Sequence, residues 1–368
     1  MGLFKNLYND QFFDFFGQAV RQVYSDFDPS VFMDHIYDDE WSQRELKQRM
    51  RHITTGLNKQ FPESFGESTQ IILACIKQLQ NNGLQEHSVE YMFFPDYIEC
   101  YGLNYLEISI QTMEEVTQFT SCEFAVRPFI IKYPEQMITQ MLAWSKHENY
   151  KVRRLASEGC RPRLPWAMAL PDLKRNPSPI QPILENLKND EYDFVRRSVA
   201  NNLNDIAKDH PDVVIDTVKK WKGQTANTDW VIKHASRTLL KQGNKELMLL
   251  FGFSSVDQIQ LKSFTVHTPK VQLGGDLEFS FKLKNLAKQL TKIRLEYAVY
   301  YQKANGSLSK KVFKISEKEY SPGSTTTIER KQHFKPITTR IYYSGKHAVS
   351  IIVNGVEFEK KEFNLLMS

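Results

Sequence analysis

The chain has 368 residues, of which 41% are hydrophobic and 12% aromatic, and its formal net charge is +5. This length exceeds what one hydrophobic core usually serves, so we expect two domains, and the apolar content excludes wholesale disorder. The four cysteines form no CxxC pair and accompany no histidine cluster, which argues against a disulfide framework or a metal site. The N-terminus resembles no secretion signal, and no apolar run approaches about eighteen residues. We therefore expect a cytoplasmic protein without a membrane span.

The charge is distributed unevenly along the chain. Residues 1–120 carry 8 Lys and Arg against 18 Asp and Glu, a net of −10. Residues 121–259 carry 21 against 16, and residues 260–368 carry 19 against 9, which gives +5 and +10. A polyanion would therefore be drawn to the middle and the C-terminal part. Because lysine-rich surfaces also serve solubility, the gradient alone favours a nucleic-acid partner only weakly.

The first two thirds of the chain have the apolar spacing of helices. Residues 28–57 (DPSVFMDHIYDDEWSQRELKQRMRHITTGL) and 68–82 (STQIILACIKQLQNN) place apolar side chains three and four positions apart. Ser, Asp and Pro stand where helix caps and first turns belong.

A short motif recurs within this helical part. Residues 152–158 (VRRLASE) return 43 residues later at 195–201 (VRRSVAN), and a weaker copy at 231–237 (VIKHASR) follows after 36 more. Each copy is expected to open a helix after a polar turn (HENYK, NDEYD and TANTD). Two-helix units with a period of about 40 residues are typical of HEAT repeats, which stack into a curved solenoid. We predict a HEAT-like α-helical repeat solenoid whose groove suits a long partner such as a duplex.

Each full copy of the motif carries two arginines with different expected roles. The first arginines are Arg153 and Arg196, and the second are Arg154 and Arg197. We expect the first to pair with an acidic residue of the preceding turn, Glu148 or Asp190, and so to join neighbouring repeats. The second points about 100° further round the helix and is the better candidate for a phosphate contact.

The segment 155–167 (LASEGCRPRLPWA) is unusual for a plain repeat. Pro162 and Pro165 fix an extended path, which would present Arg161, Arg163 and Trp166 with little loss of entropy. A tryptophan near a helix end also serves ordinary packing, and that alternative stays open.

The segment 198–211 (SVANNLNDIAKDHP) places three asparagines and an aspartate in a predicted helix, where they lower helix propensity. Asn202 falls where repeats place small apolar residues, so we expect it to be at least partly buried. Asn201 and Asp205 lie one turn apart on one face, and Asn201 is the repeat equivalent of Glu158. A shared wall of the groove is the simplest reason for these residues.

The last third of the chain changes to the alternation of β-strands. Five segments alternate apolar and polar residues, namely DLEFSFKLKN, KIRLEYAVYYQK, KKVFKIS, TTTIERKQHF and HAVSIIVNGVEFEKKEF. The turns between them supply Gly, Asn and Pro. About seven strands fit a C-terminal immunoglobulin-like β-sandwich. We predict a mainly α protein with a helical-repeat domain at residues 1–258 and the β-domain at residues 262–368.

The two unusual segments together resemble the AlkC family of DNA-3-methyladenine glycosylases, relatives of the AlkD HEAT-like glycosylases. LASEGCRPRLPW and SVANNLNDIAKDHP carry the resemblance, which runs through most of residues 1–255. The resemblance implies excision of cationic 3-methyladenine and 3-methylcytosine from double-stranded DNA without full flipping of the base. It also implies that Glu158, Trp166 and Asp205 are catalytic, with Glu123 in SCEFAVRPFI as a third carboxylate. Glu123 could equally be a surface residue paired with Arg127 at i,i+4.

The chemistry of such lesions agrees with this assignment. A base methylated at N3 is already cationic and leaves without protonation. Carboxylates stabilise the oxocarbenium-like sugar and can accept a proton from water. An indole beside the sugar adds cation–π attraction of about 0.5–2 kcal/mol. We expect hydrolysis without strand cleavage, by a monomer that needs no cofactor and no metal.

Further residues are predicted to bind DNA. These are Arg154, Arg161, Arg163, Arg197, Asn201, Lys208, Lys233 and Arg237. We expect the basic β-domain to hold the duplex as well. Two alternatives remain at this point: a non-catalytic HEAT-type scaffold that binds nucleic acid or protein, and a hydrolase that acts on another glycoside.

Overall fold

Helices fill the first two thirds of the chain and strands the last third, as the sequence predicts. The computed structural model describes residues 4–84, 89–337 and 340–367. The chain divides into two compact units, one of residues 1–210 and 222–235 and the other of residues 211–221 and 236–368.

The helices of the described residues are α1 (Asp10–Val23), α2 (Pro29–Ile36), α3 (Leu46–Gln60), α4 (Phe65–Asn81), α5 (Phe93–Tyr101), α6 (Leu106–Val116), α7 (Val126–Lys132), α8 (Pro134–Trp144), α9 (Tyr150–Gly159), α10 (Pro171–Arg175), α11 (Gln181–Leu187), α12 (Asp193–Ile206), α13 (Pro211–Trp221), α14 (Ala226–Ala235), α15 (Arg237–Lys241) and α16 (Lys245–Leu250). Short 3₁₀ turns lie at Phe4–Leu7, Val89–Tyr91, Ser178–Ile180 and Val256–Gln258. Within this part of the chain, no helix is long and apolar enough to span a membrane.

The recurring motif lies on three helices of the first unit, and α12 packs between α9 and α14. The first copy opens α9, where the side chain of Asn149 accepts a hydrogen bond from the amide of Lys151 at 2.9 Å. The third copy does not open its helix. The hydroxyl of Thr225 accepts from the amide of Thr228 at 3.0 Å, as a helix N-cap does. The TANTD segment therefore lies largely inside α14, and Val231 is in the second turn.

The first arginines of the motif join neighbouring repeats, although not in the expected pairing. Arg153 donates to both carboxylate oxygens of Asp190 at 2.6 and 3.1 Å, one repeat later than the turn that precedes it. In that preceding turn Arg153 donates only to carbonyl oxygens, including that of Glu148 at 2.7 Å. Arg196 likewise donates to the carbonyl oxygens of Asp190 and Glu191, at 2.6 and 2.8 Å. The arginines thus satisfy backbone groups at the helix starts, and Asp190 is the link between repeats.

The second unit contains two sheets. The strands are β1 (Ile259–Val266), β2 (Lys270–Gln272), β3 (Asp276–Asn285), β4 (Thr291–Gln302), β5 (Leu308–Tyr320), β6 (Thr325–His333), β7 (Gly345–Val353) and β8 (Val356–Leu366). One sheet has the order β1-β3-β6 and the other β2-β8-β7-β4-β5. All neighbours are antiparallel except β2 and β8. Inward side chains such as Phe281, Leu295 and Ile351 form one buried core, the arrangement of a sandwich.

Helices α13, α15 and α16 belong to the same unit as the strands. The turn after α15 approaches the β7–β8 turn closely: a Cβ added to Gly243 would lie 2.4 Å from the carbonyl oxygen of Gly355. Both glycines also have a positive backbone φ, 75° and 79°, which residues other than glycine rarely adopt. The predicted division at residues 258–262 falls where β1 begins, while these helices precede it.

Candidate active site

The unusual segment after α9 forms a loop, residues 160–170, which we call the tryptophan loop. Helix α9 ends at Gly159, where an added Cβ would lie only 2.6 Å from a methyl group of Val126. The glycine thus lets α9 end tightly against α7. The loop is closed by a hydrogen bond from the amide of Leu170 to the carbonyl oxygen of Pro162, at 3.2 Å.

A buried arginine on α7 holds this loop in place. Arg127 donates to the carbonyl oxygens of Gly159, Arg161 and Met168 at 2.9, 2.8 and 2.7 Å. Its burial lowers the pKa of the guanidinium to about 10. Arg127 therefore binds the peptide groups of the loop, and the alternative pairing with Glu123 does not occur.

Trp166 projects from the loop into solvent, with 76% of the residue exposed. Its φ of 65° lies in the left-handed region, which costs a non-glycine residue roughly 1–2 kcal/mol. The carbonyl oxygen of Trp166 accepts a hydrogen bond from the ammonium of Lys47 on α3, at 2.8 Å. The indole is thus presented by a fixed backbone and does not fill a core, unlike the packing alternative.

Two of the predicted carboxylates meet at one arginine. Glu158 is 5% exposed and Asp205 is 2% exposed, on α9 and α12. Arg161, itself 7% exposed, donates to Glu158 Oε1 at 2.7 Å and to Asp205 Oδ2 at 2.9 Å. Burial lowers the pKa of Arg161, but the two carboxylates outweigh it and hold that pKa above its ordinary value. The other oxygen of Asp205 accepts from Lys208 at 2.9 Å.

The third carboxylate joins the same network through a second arginine. Glu123 accepts from Arg154 Nη1 at 2.5 Å and from the hydroxyl of Ser121 at 2.9 Å. The other terminal nitrogen of Arg154 lies 3.7 Å from Glu158 Oε1. Glu123, Glu158 and Asp205, which we call the carboxylate cluster, therefore alternate with arginines in one continuous chain of charges.

The remaining residues predicted to bind DNA lie in several places. Arg163 pairs with Asp209 at 2.6 and 3.0 Å, and Arg197 pairs with Asp193 at 2.5 Å and lies over the ring of Trp230. Half-buried positions are occupied by Asn201 on α12, Lys233 on α14 and Arg237 on α15. Arg237 belongs to the second unit and the others to the first. The burial of Arg161 does not fit a phosphate contact.

A cavity of about 510 Å³ lies between α3, α5 and the turn that carries Glu123. Lys47 lines it and lies over the ring of Phe124. Arg51, one turn further along α3, also lines the cavity. It donates to both oxygens of Asp96 at 2.7 and 2.8 Å and to Glu99 at 3.2 Å. Burial, followed by the charge of Asp96, raises the pKa of Glu99.

The sequence patterns did not predict Lys47 or Arg51 as site residues, because their partners lie 45 or more positions away. Helical spacing relates only near neighbours, so it carries no signal for such pairs. Within the described ranges, no cluster of His, Cys, Asp and Glu could hold a metal ion.

Comparison with known proteins agrees with the fold. Residues 75–239 match the family model described as DNA alkylation repair enzyme, and residues 260–367 match the C-terminal Ig-like domain of the uncharacterised protein YhaZ. YhaZ of Bacillus subtilis (strain 168), itself uncharacterized, is 43% identical over 361 residues, which cover 98% of this chain and 99% of YhaZ.

A solved structure resembles the whole chain. Pseudomonas fluorescens alkylpurine DNA glycosylase AlkC, bound to DNA containing an abasic site analog, matches with a TM-score of 0.93 and 32% identity. The match covers 99% of this chain and 100% of that one. Together the fold and the matches define a helical DNA-alkylation-repair protein with a C-terminal Ig-like domain. The chain belongs to the AlkC family of DNA glycosylases, which confirms the resemblance and the fold class.

Proposed function

We propose that this protein is a base-excision-repair glycosylase that hydrolyses the N-glycosidic bond of cationic alkylated bases in double-stranded DNA. The expected lesions are 3-methyladenine and 3-methylcytosine, excised without full flipping of the base. The observation that carries the proposal is the carboxylate cluster, assembled beside the tryptophan loop in a chain of the AlkC family.

The carboxylate cluster suits the charge that develops in this reaction. Asp205 has both oxygens bonded, to Arg161 and Lys208, so it contributes mainly negative charge toward an oxocarbenium-like sugar. Glu158 accepts through Oε1 and Glu123 through Oε2, and no described residue donates to Glu158 Oε2 or Glu123 Oε1. These two oxygens are available to orient a water molecule and accept its proton.

Trp166 supplies a solvent-exposed aromatic ring whose backbone is fixed by a hydrogen bond from Lys47. A cationic base or sugar beside an indole gains about 0.5–2 kcal/mol, more where water is excluded. No covalent intermediate is required, because the leaving group is already charged. We therefore expect a monofunctional enzyme that leaves an abasic site in an intact strand.

Basic side chains of both units would supply the contacts to the DNA backbone. Exposed Arg197 and Lys208 and the partly exposed Arg163 are the most accessible of those predicted. Arg154, Asn201, Lys233 and Arg237 complete the set, whereas we now exclude Arg161. Phosphate contacts give affinity without sequence information, which suits a search for scattered lesions.

The direct test is incubation of the wild-type protein with methylated duplex DNA, followed by chromatography of the released bases. We expect free 3-methyladenine and 3-methylcytosine, and strands that break only after alkaline treatment. E158Q and D205N should lower the single-turnover excision rate at least tenfold, about 1.4 kcal/mol of barrier, and E123Q should lower it as well. The control is E191Q, which removes the charge of an exposed glutamate.

One observation favours a second candidate, a DNA-binding scaffold without catalysis. All three members of the carboxylate cluster are ion-pair partners in this structure, as purely structural carboxylates would be. Binding of methylated DNA by the wild-type protein without release of any base would support the scaffold and overturn the glycosylase.

A further inference from the structure

We propose that Arg161 is the positioning residue of the carboxylate cluster. Its guanidinium fixes the orientation of Glu158 and Asp205 and makes two negative charges tolerable in one buried place. The inference rests on the proposed glycosylase function and assigns to Arg161 a role in that reaction other than DNA binding.

The side chain of Arg161 joins the tryptophan loop to α9 and α12. Nη1 donates to Glu158 Oε1 at 2.7 Å on α9, while Nε donates to Asp205 Oδ2 on α12 at 2.9 Å. Nη2 also lies 2.9 Å from Asp205 Oδ2. The planar guanidinium has a fixed fork of donors, so each carboxylate is held at a defined angle. A lysine ammonium in the same place would be a point charge without that geometry.

The backbone of Arg161 is held as firmly as its side chain. Its carbonyl oxygen accepts a hydrogen bond from Arg127 Nη1 at 2.8 Å, beside the bond from the same nitrogen to Gly159. The guanidinium is therefore anchored to a buried group on α7 and reaches the carboxylates from a rigid base. Such support is what a site needs if its reacting groups are to stay in one geometry.

The neighbouring cations cannot take over this position. Arg154 lies 3.7 Å from Glu158 and is bonded to Glu123, while Lys208 reaches Asp205 from a side chain that is 41% exposed. The charges of Glu158 and Asp205 act on the guanidinium of Arg127, but Arg127 donates its hydrogen bonds to carbonyl oxygens. Among the described residues, Arg161 alone forms hydrogen bonds to both of these carboxylates.

The test compares R161Q, R161K and the control R153Q in the full chain. Arg153 is a suitable control, because it lies on α9 and forms a partly buried ion pair with Asp190 outside the cluster. The readouts are the thermal midpoint and the single-turnover excision rate from pH 5 to pH 9, with double-stranded DNA containing 3-methylcytosine as the probe.

We expect R161Q to excise at least tenfold more slowly at pH 7. The acidic limb of its pH–rate profile should move to higher pH by about one unit, because two neighbouring carboxylates without a shared cation favour protonation. R161K should keep the limb near its wild-type position, since the charge remains, while its rate falls because the fork is lost. R153Q should lower the thermal midpoint and leave the limb unchanged. A wild-type limb in folded R161Q, or the same limb shift in R153Q, would overturn the proposal.

If R161Q does not fold, R161K provides the test. Wild-type excision rates in R161K at all pH values would show that the forked donor geometry of the guanidinium is not required. If the wild-type protein releases no base at any pH, the proposed function fails independently. The pH dependence of the thermal midpoint then still tests Arg161, since the cluster of R161Q should stabilise the fold less as pH rises through the range where the carboxylates ionise. Parallel curves for R161Q and R153Q would contradict it.

Discussion

Lys47 on α3 donates a hydrogen bond to the carbonyl oxygen of Trp166, 119 positions later in the chain, at 2.8 Å. Arg127 also holds this loop, by donating to the carbonyl oxygens of Arg161 and Met168 and to that of Gly159 at the end of α9. The exposed indole therefore stands on a backbone that is fixed at several points, which is how a site keeps an exposed aromatic side chain oriented.

The first prediction concerns this lysine. K47M removes the ammonium but keeps most of the aliphatic length, so the protein should fold while the tryptophan loop loses one anchor. We expect single-turnover excision to slow by roughly threefold to tenfold, about 0.7–1.4 kcal/mol. K132M is the matched control, since Lys132 binds the carbonyl oxygen of Leu103 in the same manner, at 3.3 Å. Equal excision rates in K47M and K132M would exclude the anchoring role.

The second prediction separates the indole from the loop that carries it. W166A removes a side chain that is mostly exposed, so its effect on the free energy of unfolding should stay within about 0.5 kcal/mol. Excision should nevertheless fall at least tenfold, and W166F should retain part of the rate because an aromatic face remains. M168A, which truncates a neighbouring exposed residue, serves as the control. A W166A enzyme with the wild-type rate would remove Trp166 from the site.

The third prediction addresses the link between repeats. D190N removes the carboxylate charge that pairs with the partly buried Arg153 at 2.6 Å, and breaking a buried pair of this kind costs up to about 3 kcal/mol. Urea unfolding should show this loss, whereas the excision rate of the folded enzyme should hold, because the pair lies outside the carboxylate cluster. D39N, at an exposed aspartate, should not shift the urea midpoint. A D190N midpoint equal to that of D39N would show that the ladder contributes little.

The fourth prediction concerns DNA binding by the β-domain. Removal of everything after residue 258 would divide the second compact unit and strip α13, α15 and α16 of their strands, so charge reversal in the full chain is the cleaner test. K288E/K311E should weaken binding and flatten the logarithmic salt dependence of the affinity by roughly two units if both lysines meet phosphates.

The matched control for that experiment is K335E/K346E, which makes the same change of charge at two other exposed lysines of the unit. We expect it to alter the salt dependence less. Identical salt slopes for the wild-type protein and K288E/K311E would leave the β-domain without a role in holding the duplex.

Much of the fold follows from local patterns in the sequence. The segment DLEFSFKLKN coincides with β3 at Asp276–Asn285, because alternating apolar residues must share one face of a strand. Val152 and Val195 are fully buried at equivalent positions of α9 and α12, as the repeat predicts. The prediction that the third copy opens a helix was wrong, because the polar TANTD segment resembles a turn in sequence. In the structure its first threonine, Thr225, caps α14 instead.

The candidate site was only partly predictable, for a different physical reason. Glu158, Trp166 and Asp205 lie in two segments that are unusual for a repeat, and the resemblance to the AlkC family implied their catalytic roles. Their partners were not predicted, since the contact between Arg161 and Asp205 joins positions 44 residues apart. Residue type alone suggested a phosphate-binding arginine, and only tertiary packing makes Arg161 a buried counterion.

The five-stranded sheet ends at β5, whose backbone pairs with β4 on one side within the described strands. An edge strand offers unpaired amides and carbonyls to any other chain, and rows of lysine are a common defence against such pairing. Lys310, Lys311, Lys314 and Lys318 lie along β5, so part of the basic charge of this domain protects the protein against edge-to-edge aggregation. Lysine-to-glutamate changes at this strand keep the edge charged, whereas alanine changes would expose it, and a loss of DNA binding in alanine variants would be confounded by self-association.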